Sequence, residues 1–211
     1  MSQHLIFTII LELIFLCGVN YIYYEGAILI KLIPPFLLSL WLINLNYTHL
    51  ILIEFLCYIL GDFFFARINS MNNNFIFGVI CFAISNGIAL FDNIKNIRIL
   101  SMVPSYFCIL YAIYGMFITM IITSQSEIQT KIIIISYALI LINRFLYACL
   151  SYHYYNINLY EVYSSILFII SDILVFIEFN SGMRYNKIMS SVTLGTYWIS
   201  LIYRTLFLYL K

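Results

Sequence analysis

The sequence predicts an all-α membrane protein, a single bundle of about eight transmembrane helices. Three observations carry this prediction: 64% of the 211 residues are hydrophobic, only 9% are charged, and short polar segments interrupt the apolar sequence at regular intervals. Soluble domains are about 45–50% apolar and about 25% charged. The apolar runs have the length of membrane helices and not of barrel strands. We therefore interpret residues 1–211 as one integral membrane domain.

Polar segments divide the apolar sequence into eight predicted spans, each close to the length that crosses a bilayer. In chain order they cover residues 5–23, 26–45, 47–66, 75–91, 99–123, 132–150, 159–179 and 188–210. The first has neither a basic lead-in nor a small-residue cleavage site, so we interpret it as a span and not as a signal peptide. The second carries Pro34 and Pro35 in its first turns, where proline is tolerated because early N–H groups lack helical partners.

The remaining spans are separated by short polar loops that leave no room for a soluble domain. The third span ends at Arg67 and is followed by the asparagine-rich segment 69–74. Polar residues at 92–98, 124–131, 151–158 and 180–187 close the fourth, fifth, sixth and seventh spans. Loops this short make consecutive spans antiparallel. Basic residues occur on both sides, and their imbalance is too small for the positive-inside rule to fix the orientation.

The charged and sulfur-containing residues exclude several classes of function. The net charge is +1 and the basic residues are scattered, so we expect neither nucleic-acid binding nor a polybasic site for anionic lipid. All five cysteines lie in apolar runs without a C-x-x-C pair, which favours buried thiols over disulfides or zinc ligands. His4, His49 and His153 lie near span ends and are too scattered for a metal-ligand cluster, so we predict no metal site.

Two aspartates, Asp62 in the third span and Asp172 in the seventh, are the main candidates for function. An aspartate at the centre of a membrane helix costs roughly 2.5–3.5 kcal/mol on insertion scales, so an idle one is unexpected. Both spans are odd-numbered and run in the same direction, so the two carboxyl groups reach similar depth. We predict that they meet inside the bundle and do acid–base chemistry there. Lys31, at the start of the second span, is expected on the same side.

Structural roles are the alternative for each of these charges. Lys31 can snorkel to the lipid head groups, and Asp62 can pair with a cation as a structural bridge. Glu54 and Glu161 are more typical of interfacial or helix–helix contacts, and Arg144 and Arg204 are more typical of ion-pairing or snorkelling groups. Among them, Glu161 falls about 20° from Asp172 around a helix, so it can line the same inner stripe at the opposite interface.

Five short motifs support a more specific interpretation because of their order and spacing. They are Lys31-Leu-Ile-Pro34, Gly61-Asp62-Phe63-Phe64, Phe75-Ile-Phe-Gly78, Leu167-Phe168-Ile-Ile-Ser171-Asp172 and Thr196-Tyr197-Trp198. In these motifs the chain resembles the YhhN-type integral membrane proteins, whose animal members are lysoplasmalogenases. The resemblance runs from the second span to the last and agrees with the eight-span layout. It departs from the family pattern at three positions, where Asn86 replaces a histidine, Ala89 a tyrosine and Leu201 a glutamine.

The resemblance implies an ether-bond hydrolase of lipid metabolism that cleaves the vinyl ether of a lysoplasmalogen. The products would be a fatty aldehyde and a glycerophospho-base. A vinyl ether reacts with water once its carbon is protonated, and a carboxylic acid kept neutral by apolar surroundings can donate that proton. A second, ionised carboxylate can stabilise the resulting oxocarbenium-like cation or activate water, as in glycoside hydrolysis. No metal or organic cofactor is required.

Within this interpretation the candidate catalytic residues are Asp172, assigned as general acid, and Asp62, assigned as base or cation stabiliser. The reverse assignment stays open, because a close pair titrates as a unit. Candidate substrate-binding residues are Lys31 at the lipid phosphate, with Asn86, Ser171 and Tyr197 as polar groups of the pocket. The expected partner is a membrane lysophospholipid substrate, and the resemblance implies a multi-pass location in an endomembrane such as the endoplasmic reticulum.

Two non-enzymatic alternatives remain open at this point. The same buried acids could carry protons or a cation through a small transporter, or the chain could be a catalytically degenerate membrane scaffold. Transport predicts substrate flux across sealed vesicles, whereas hydrolysis predicts products without any gradient. The sequence leaves open the preferred head group and chain, the membrane orientation and the oligomeric state.

Overall fold

The computed structural model describes residue 6 and residues 28–45, 47–66, 73–95, 106–123, 127–155, 158–181 and 187–210. Over these ranges the chain forms seven helices and no strand. They are α1 (Ile28–Asn44), α2 (His49–Ala66), α3 (Asn74–Lys95), α4 (Tyr106–Thr123), α5 (Ile128–Tyr155), α6 (Tyr160–Ser181) and α7 (Lys187–Leu210). They correspond to the second to eighth predicted spans. The first predicted span, residues 5–23, lies outside the described residues except for Ile6.

The described helices are those of an α-helical membrane protein, which confirms the predicted class. Three stretches are long and apolar enough to cross a bilayer: Asn74–Lys95, Ile128–Tyr154 and Tyr160–Glu178. Large apolar side chains such as Leu56 and Ile84 remain about half exposed on the outside of the bundle, where lipid replaces water as the surrounding medium. The total of eight spans stays a prediction.

Two helices extend at least four residues further than the polar segments predicted. Helix α3 continues to Lys95, four residues beyond its predicted end, because Asp92 and Asn93 find buried polar partners and need not leave the bundle. Helix α5 runs from Ile128 to Tyr155 and so includes residues assigned to both flanking loops. Hydropathy reports the thickness of the apolar layer, and a helix can continue beyond that layer.

Six of the helices form a closed ring. Helix α1 packs against α2 and α7, and the ring continues through the pairs α2–α3, α3–α5, α5–α6 and α6–α7. Helix α4 packs against α5 from outside the ring. Side chains from non-adjacent helices therefore meet in the centre, where Arg204 on α7 reaches Glu54 on α2.

Polar and aromatic residues follow an inward-facing stripe along helices α2 and α6 of the ring. On α2 the stripe is Glu54, Tyr58 and Asp62, spaced four residues apart, so that each lies one turn above the last. On α6 it runs from Glu161 through Phe168 to Asp172. The stripes divide the centre into three layers. The charged layer contains Glu54 and Glu161, the aromatic layer contains Tyr58 and Phe168, and the aspartate layer contains Asp62 and Asp172. The aspartate layer lies toward the end where α2 stops at Ala66.

Close packing of α2 against α3 accounts for two glycines of the sequence motifs. A Cβ atom on Gly61 would lie 2.8 Å from Cε2 of Phe82, and one on Gly78 would lie closer still to Cδ1 of Phe65. Both distances are shorter than real carbon contacts, so only glycine permits this approach of the helices.

Candidate functional site

Four aromatic rings from four helices form the aromatic layer at the centre of the ring. Tyr58, Phe82, Phe168 and Tyr197 come from α2, α3, α6 and α7, and all are buried. Every pair of these rings has a centroid separation between 5.4 Å, for Tyr58–Phe168, and 6.5 Å, for Tyr58–Tyr197. Tilted and edge-on pairs of this kind favour close packing. The layer separates the aspartates from the charged residues on its other side.

Asp62 is held by a tyrosine of this aromatic layer. The hydroxyl of Tyr197 donates to Oδ2 of Asp62 at 2.9 Å, joining α7 to α2. The ring of Tyr197 packs against Phe168 at 5.5 Å and against Phe82 at 5.8 Å, which fixes its position. Tyr197 thus holds one oxygen of the Asp62 carboxyl group, and the packing of the core holds the Tyr197 ring in turn.

Asp172 has a tyrosine partner of its own, on the neighbouring helix. The hydroxyl of Tyr137 on α5 donates to Oδ2 of Asp172 on α6 at 2.5 Å. Tyr137 is buried, and its hydroxyl also accepts a hydrogen bond from Nδ2 of Asn86 at 3.4 Å. Both aspartates thus accept a phenolic hydrogen bond, and each phenol comes from a different helix.

The two aspartates differ from the two buried glutamates of the centre in their accessibility. Asp62 and Asp172 are only partly buried, whereas Glu54 and Glu161 are fully or almost fully buried. A carboxyl group that exchanges protons with a substrate must be reachable, so the aspartates are the better candidates for chemistry. They occupy the same layer, and the ring of Phe168, one turn before Asp172, packs against the Tyr197 ring that holds Asp62.

The charged layer lies on the other side of the aromatic rings and is centred on two buried arginines. Arg204 binds Glu54 through two parallel hydrogen bonds, Nε to Oε1 and Nη2 to Oε2, both at 2.9 Å. Its guanidinium also contacts Oε2 of Glu161 at 3.2 Å and Oδ2 of Asp92 at 3.4 Å. One arginine thus meets carboxylates from three helices, α2, α3 and α6.

Arg144 occupies the same layer and links it to the aromatic and aspartate layers. Its Nε donates to Oε1 of Glu161 at 3.0 Å and its Nη2 to Oγ of Ser164 at 2.9 Å. Its Nη1 donates to the hydroxyl of Tyr58 at 3.0 Å and to Oδ1 of Asn86 at 2.5 Å. Because Asn86 in turn contacts Tyr137, a continuous hydrogen-bond chain connects this arginine to Asp172.

An apolar groove lies between α3 and α5 and reaches the aspartate layer at Tyr137. Its volume is about 440 Å³, and its lining residues are Ile80, Ala83, Ile84, Ile132, Ile133, Ser136, Tyr137 and Ile140. This volume is in the range of small-molecule sites. The lining is suited to a hydrocarbon chain, and Tyr137 connects it to Asp172.

The structure brings three of the predicted substrate-binding residues close to the aspartates. Tyr197 contacts Asp62 directly, and Asn86 reaches Asp172 through Tyr137. Ser171 is buried, and its hydroxyl donates to the carbonyl oxygen of Thr193 at 3.0 Å, joining α6 to α7. The side chain of Lys31 lies outside the described residues. The catalytic and substrate-binding assignments stay predictions.

Sequence reasoning missed two residues of the site and underrated a third. Tyr137 is one of 19 tyrosines in the chain, and nothing in its neighbourhood marks it as a partner of Asp172. The sequence predicts a loop at Asp92, although this residue belongs to α3 and contacts Arg204. Arg144 carried a usable signal, because an arginine within a span needs a buried partner. Its seven-residue spacing from Tyr137 also places both on one face of α5.

The arrangement can perform acid–base chemistry at two carboxyl groups of similar depth. Each carboxyl keeps one oxygen bonded to a fixed phenol, Tyr197 or Tyr137. Within the described part of the chain, no three histidine, cysteine, aspartate or glutamate side chains are grouped so that they could hold a metal ion.

Comparison with known proteins gives one match. No curated protein and no solved structure matches the chain. The model of the YhhN family matches residues 26–205, which includes all five motifs, both aspartates, Asn86 and the two buried arginines. The chain therefore belongs to the YhhN family.

Proposed function

We propose that this protein is a membrane hydrolase that cleaves the vinyl ether bond of lysoplasmalogen, with Asp62 and Asp172 as the catalytic residues. The observation that carries the proposal is the pair of partly exposed aspartates at the same depth, each held by a tyrosine from another helix. Membership of the YhhN family supports a lysoplasmalogenase-like activity. The substrate class is a single-chain ether phospholipid.

The first chemical step is the protonation of carbon. The neutral acid, assigned to Asp172, gives its proton to the vinyl carbon remote from the ether oxygen. The double-bond electrons form the new C–H bond, and the adjacent carbon and oxygen share the positive charge of an oxocarbenium ion. Ionised Asp172 keeps the hydrogen bond from Tyr137, which stabilises its new negative charge.

The second step is the addition of water. Asp62, in its ionised form, accepts a proton from a water molecule as the water oxygen bonds to the oxocarbenium carbon. The product is a hemiacetal, which collapses to a fatty aldehyde and the free hydroxyl of the glycerophospho-base. The cycle consumes one water and returns the proton from Asp62 to Asp172. The reverse assignment of the two aspartates obeys the same balance.

The apolar groove between α3 and α5 supports a lipid substrate. Its aliphatic lining matches the alkenyl chain, and Tyr137 connects it to Asp172. A chain lying in the groove would hold the adjoining ether close to the aspartate layer. Lys31 is the proposed contact for the lipid phosphate.

The direct test uses the purified full-length protein in detergent with lysoplasmalogen as substrate and release of fatty aldehyde as readout. The matched control substrate is a lysophospholipid whose chain is attached by an ester, because it lacks the vinyl ether but shares the head group. We expect aldehyde from the first lipid alone. No aldehyde from either lipid would contradict the proposal.

A second experiment separates hydrolysis from transport or a scaffold role. Transport predicts substrate flux across sealed vesicles that responds to a pH gradient, and a scaffold predicts neither flux nor product. We expect product formation that is independent of any gradient. The endoplasmic reticulum is the proposed location, which co-fractionation with markers of that membrane would test.

A further inference from the structure

We propose that Arg144, Asn86 and Tyr137 form a hydrogen-bond chain with a fixed direction that makes Oδ1 the proton-donating oxygen of Asp172. Asn86 and Tyr137 are then positioning residues and do not themselves react. The inference rests on the proposed function for its meaning in catalysis. The direction of the chain follows from the contacts themselves.

Arg144 fixes the orientation of the Asn86 amide. A guanidinium group has five N–H donors and no acceptor. The atom of Asn86 that lies 2.5 Å from Nη1 of Arg144 must therefore be the carbonyl oxygen, Oδ1. Both side chains are fully buried, so no solvent competes for this contact. Arg144 is itself held by Glu161 and Ser164, at 3.0 Å and 2.9 Å, which leaves the guanidinium no freedom to turn away.

The amide nitrogen of Asn86 then faces the other way and can only donate. Nδ2 lies 2.9 Å from the carbonyl oxygen of Phe82 and 3.4 Å from the hydroxyl of Tyr137. Its two hydrogens serve these two acceptors. The Tyr137 oxygen is therefore an acceptor toward Asn86, and its own proton must point elsewhere.

The remaining partner of Tyr137 is Asp172. The phenol has one O–H, and Oδ2 of Asp172 lies 2.5 Å from its oxygen. If the carboxyl group donated to the phenol instead, the Tyr137 proton would be left buried without an acceptor, which is unfavourable. Tyr137 consequently donates, and Oδ2 accepts.

This direction assigns different roles to the two oxygens of Asp172. In the neutral acid Oδ2 is the carbonyl oxygen, bonded to Tyr137, and Oδ1 carries the proton that reaches the substrate. After transfer, the same Tyr137 bond stabilises the carboxylate without any rotation of the side chain. Asn86 thus supplies an ordered donor and acceptor where the family pattern has histidine, whose neutral ring exists in two tautomers.

The decisive measurement is the infrared carbonyl stretch of neutral Asp172 in the purified full-length protein at acid pH. The band is identified by its loss in Asp172→Asn. A hydrogen bond to the carbonyl oxygen lowers this frequency, so we expect Tyr137→Phe to raise it. A band that stays unchanged or falls would overturn the assigned direction.

A second variant tests the origin of the direction. Asn86→Asp keeps the shape of the side chain but replaces the donor nitrogen with an acceptor oxygen, which competes with Asp172 for the Tyr137 proton. We expect this variant also to raise the carbonyl frequency of Asp172. The double variant Asn86→Asp/Asp172→Asn lacks the Asp172 band and serves as its reference spectrum. An unchanged band here would overturn the proposal even if Tyr137→Phe failed to fold. The control is Tyr114→Phe. The hydroxyl of Tyr114, on α4, donates to the carbonyl oxygen of Ile135, which lies on α5 together with Tyr137.

Turnover distinguishes failure of this chain from failure of the proposed function. With lysoplasmalogen we expect Tyr137→Phe to lower kcat roughly 10- to 100-fold, as when the partners that orient a reactive group are removed, and to leave KM unchanged. If the wild type releases no aldehyde, the proposed function is wrong. The infrared shift still tests the direction of the hydrogen bonds from Arg144 to Asp172. If the wild type is active and Tyr137→Phe changes neither the carbonyl frequency nor kcat, the proposed hydrogen-bond direction is wrong and the proposed function is unaffected.

Discussion

Glu54 and Arg204 form a two-point ion pair across the centre of the helix ring. Nε and Nη2 of Arg204 each lie 2.9 Å from one oxygen of Glu54, and both side chains are completely buried. Planar guanidinium and carboxylate groups match in this geometry, and a lysine could not reproduce it. The pair joins α2, which carries Asp62, to α7, which carries its partner Tyr197.

Removing one member of this pair should destabilise the protein strongly. Arg204→Met leaves Glu54 and Glu161 buried without this cation, and breaking a buried pair costs about 3–5 kcal/mol. The thermal midpoint in detergent should therefore fall markedly. Glu54→Gln combined with Arg204→Met should recover part of the loss because it removes one stranded charge. Lys131→Met, at a cation bonded to the carbonyl of Ile122, is the control and should change little.

Replacing either aspartate should abolish turnover without unfolding the protein. Loss of an acid or base typically costs a factor of roughly 10² to 10⁴ in rate, so Asp62→Asn and Asp172→Asn should release almost no aldehyde. Both amides can still accept the tyrosine hydrogen bonds, and the thermal midpoint should stay near that of the wild type. Glu178→Gln, at a carboxylate on α6 that accepts a bond from Thr193, is the matched control. Full activity in either aspartate variant would refute the assigned pair.

Added volume at the tight glycines should destabilise the packing of α2 against α3. Gly78→Ala would press a methyl group onto the Phe65 ring, which cannot yield easily because it stacks on Phe75 at 5.6 Å. Overpacking of this kind costs about 1–3 kcal/mol, to be measured as a lower thermal midpoint. Gly87→Ala, on the same helix, is the matched control, because a Cβ atom added there meets no atom of a packed neighbour within 4 Å. Equal midpoints for the two variants would contradict the described packing.

Filling the apolar groove should weaken substrate binding more than it slows chemistry. Ala83→Phe places a ring among the isoleucines that line the groove, so the alkenyl chain loses space while both aspartates keep their partners. We expect KM to rise several-fold with kcat nearly unchanged. Leu56→Phe, at a half-exposed position on the outer surface of α2, should leave both constants unaffected. A normal KM in Ala83→Phe would exclude this groove as the chain site.

Much of the fold follows from the sequence, because apolar length and polar punctuation are local properties. The predicted spans 26–45 and 188–210 agree with α1 and α7 to within two residues at each end. The errors fall where polar residues are satisfied by distant parts of the chain. Asp92 looks like the start of a loop until Arg204, more than a hundred residues later, is seen beside it.

The site was only half predictable for the same reason. Asp62 and Asp172 stand out because a carboxyl group in an apolar run is costly wherever it lies. Their partners Tyr197 and Tyr137 do not stand out, because tyrosine is tolerated almost anywhere in such a sequence. Helical periodicity gives the face on which a residue lies but not the helix that this face meets. Only the ring order of the helices brings Tyr137 to Asp172.

The layer of packed rings separates the aspartates from one side of the helix bundle, so any hydrolysis at the aspartates should depend on access from the other side. Tyr58, Phe82, Phe168 and Tyr197 pack against one another between the aspartates and the charged layer, with no two ring centroids more than 6.5 Å apart. In the proposed hydrolysis we therefore expect reactant water to arrive from the compartment that faces the end of α2, and the released head group to leave into it. The aldehyde would stay behind in the adjoining leaflet. We expect a hydrolase built in this way to draw its substrate from one monolayer and to leave the opposite monolayer unchanged.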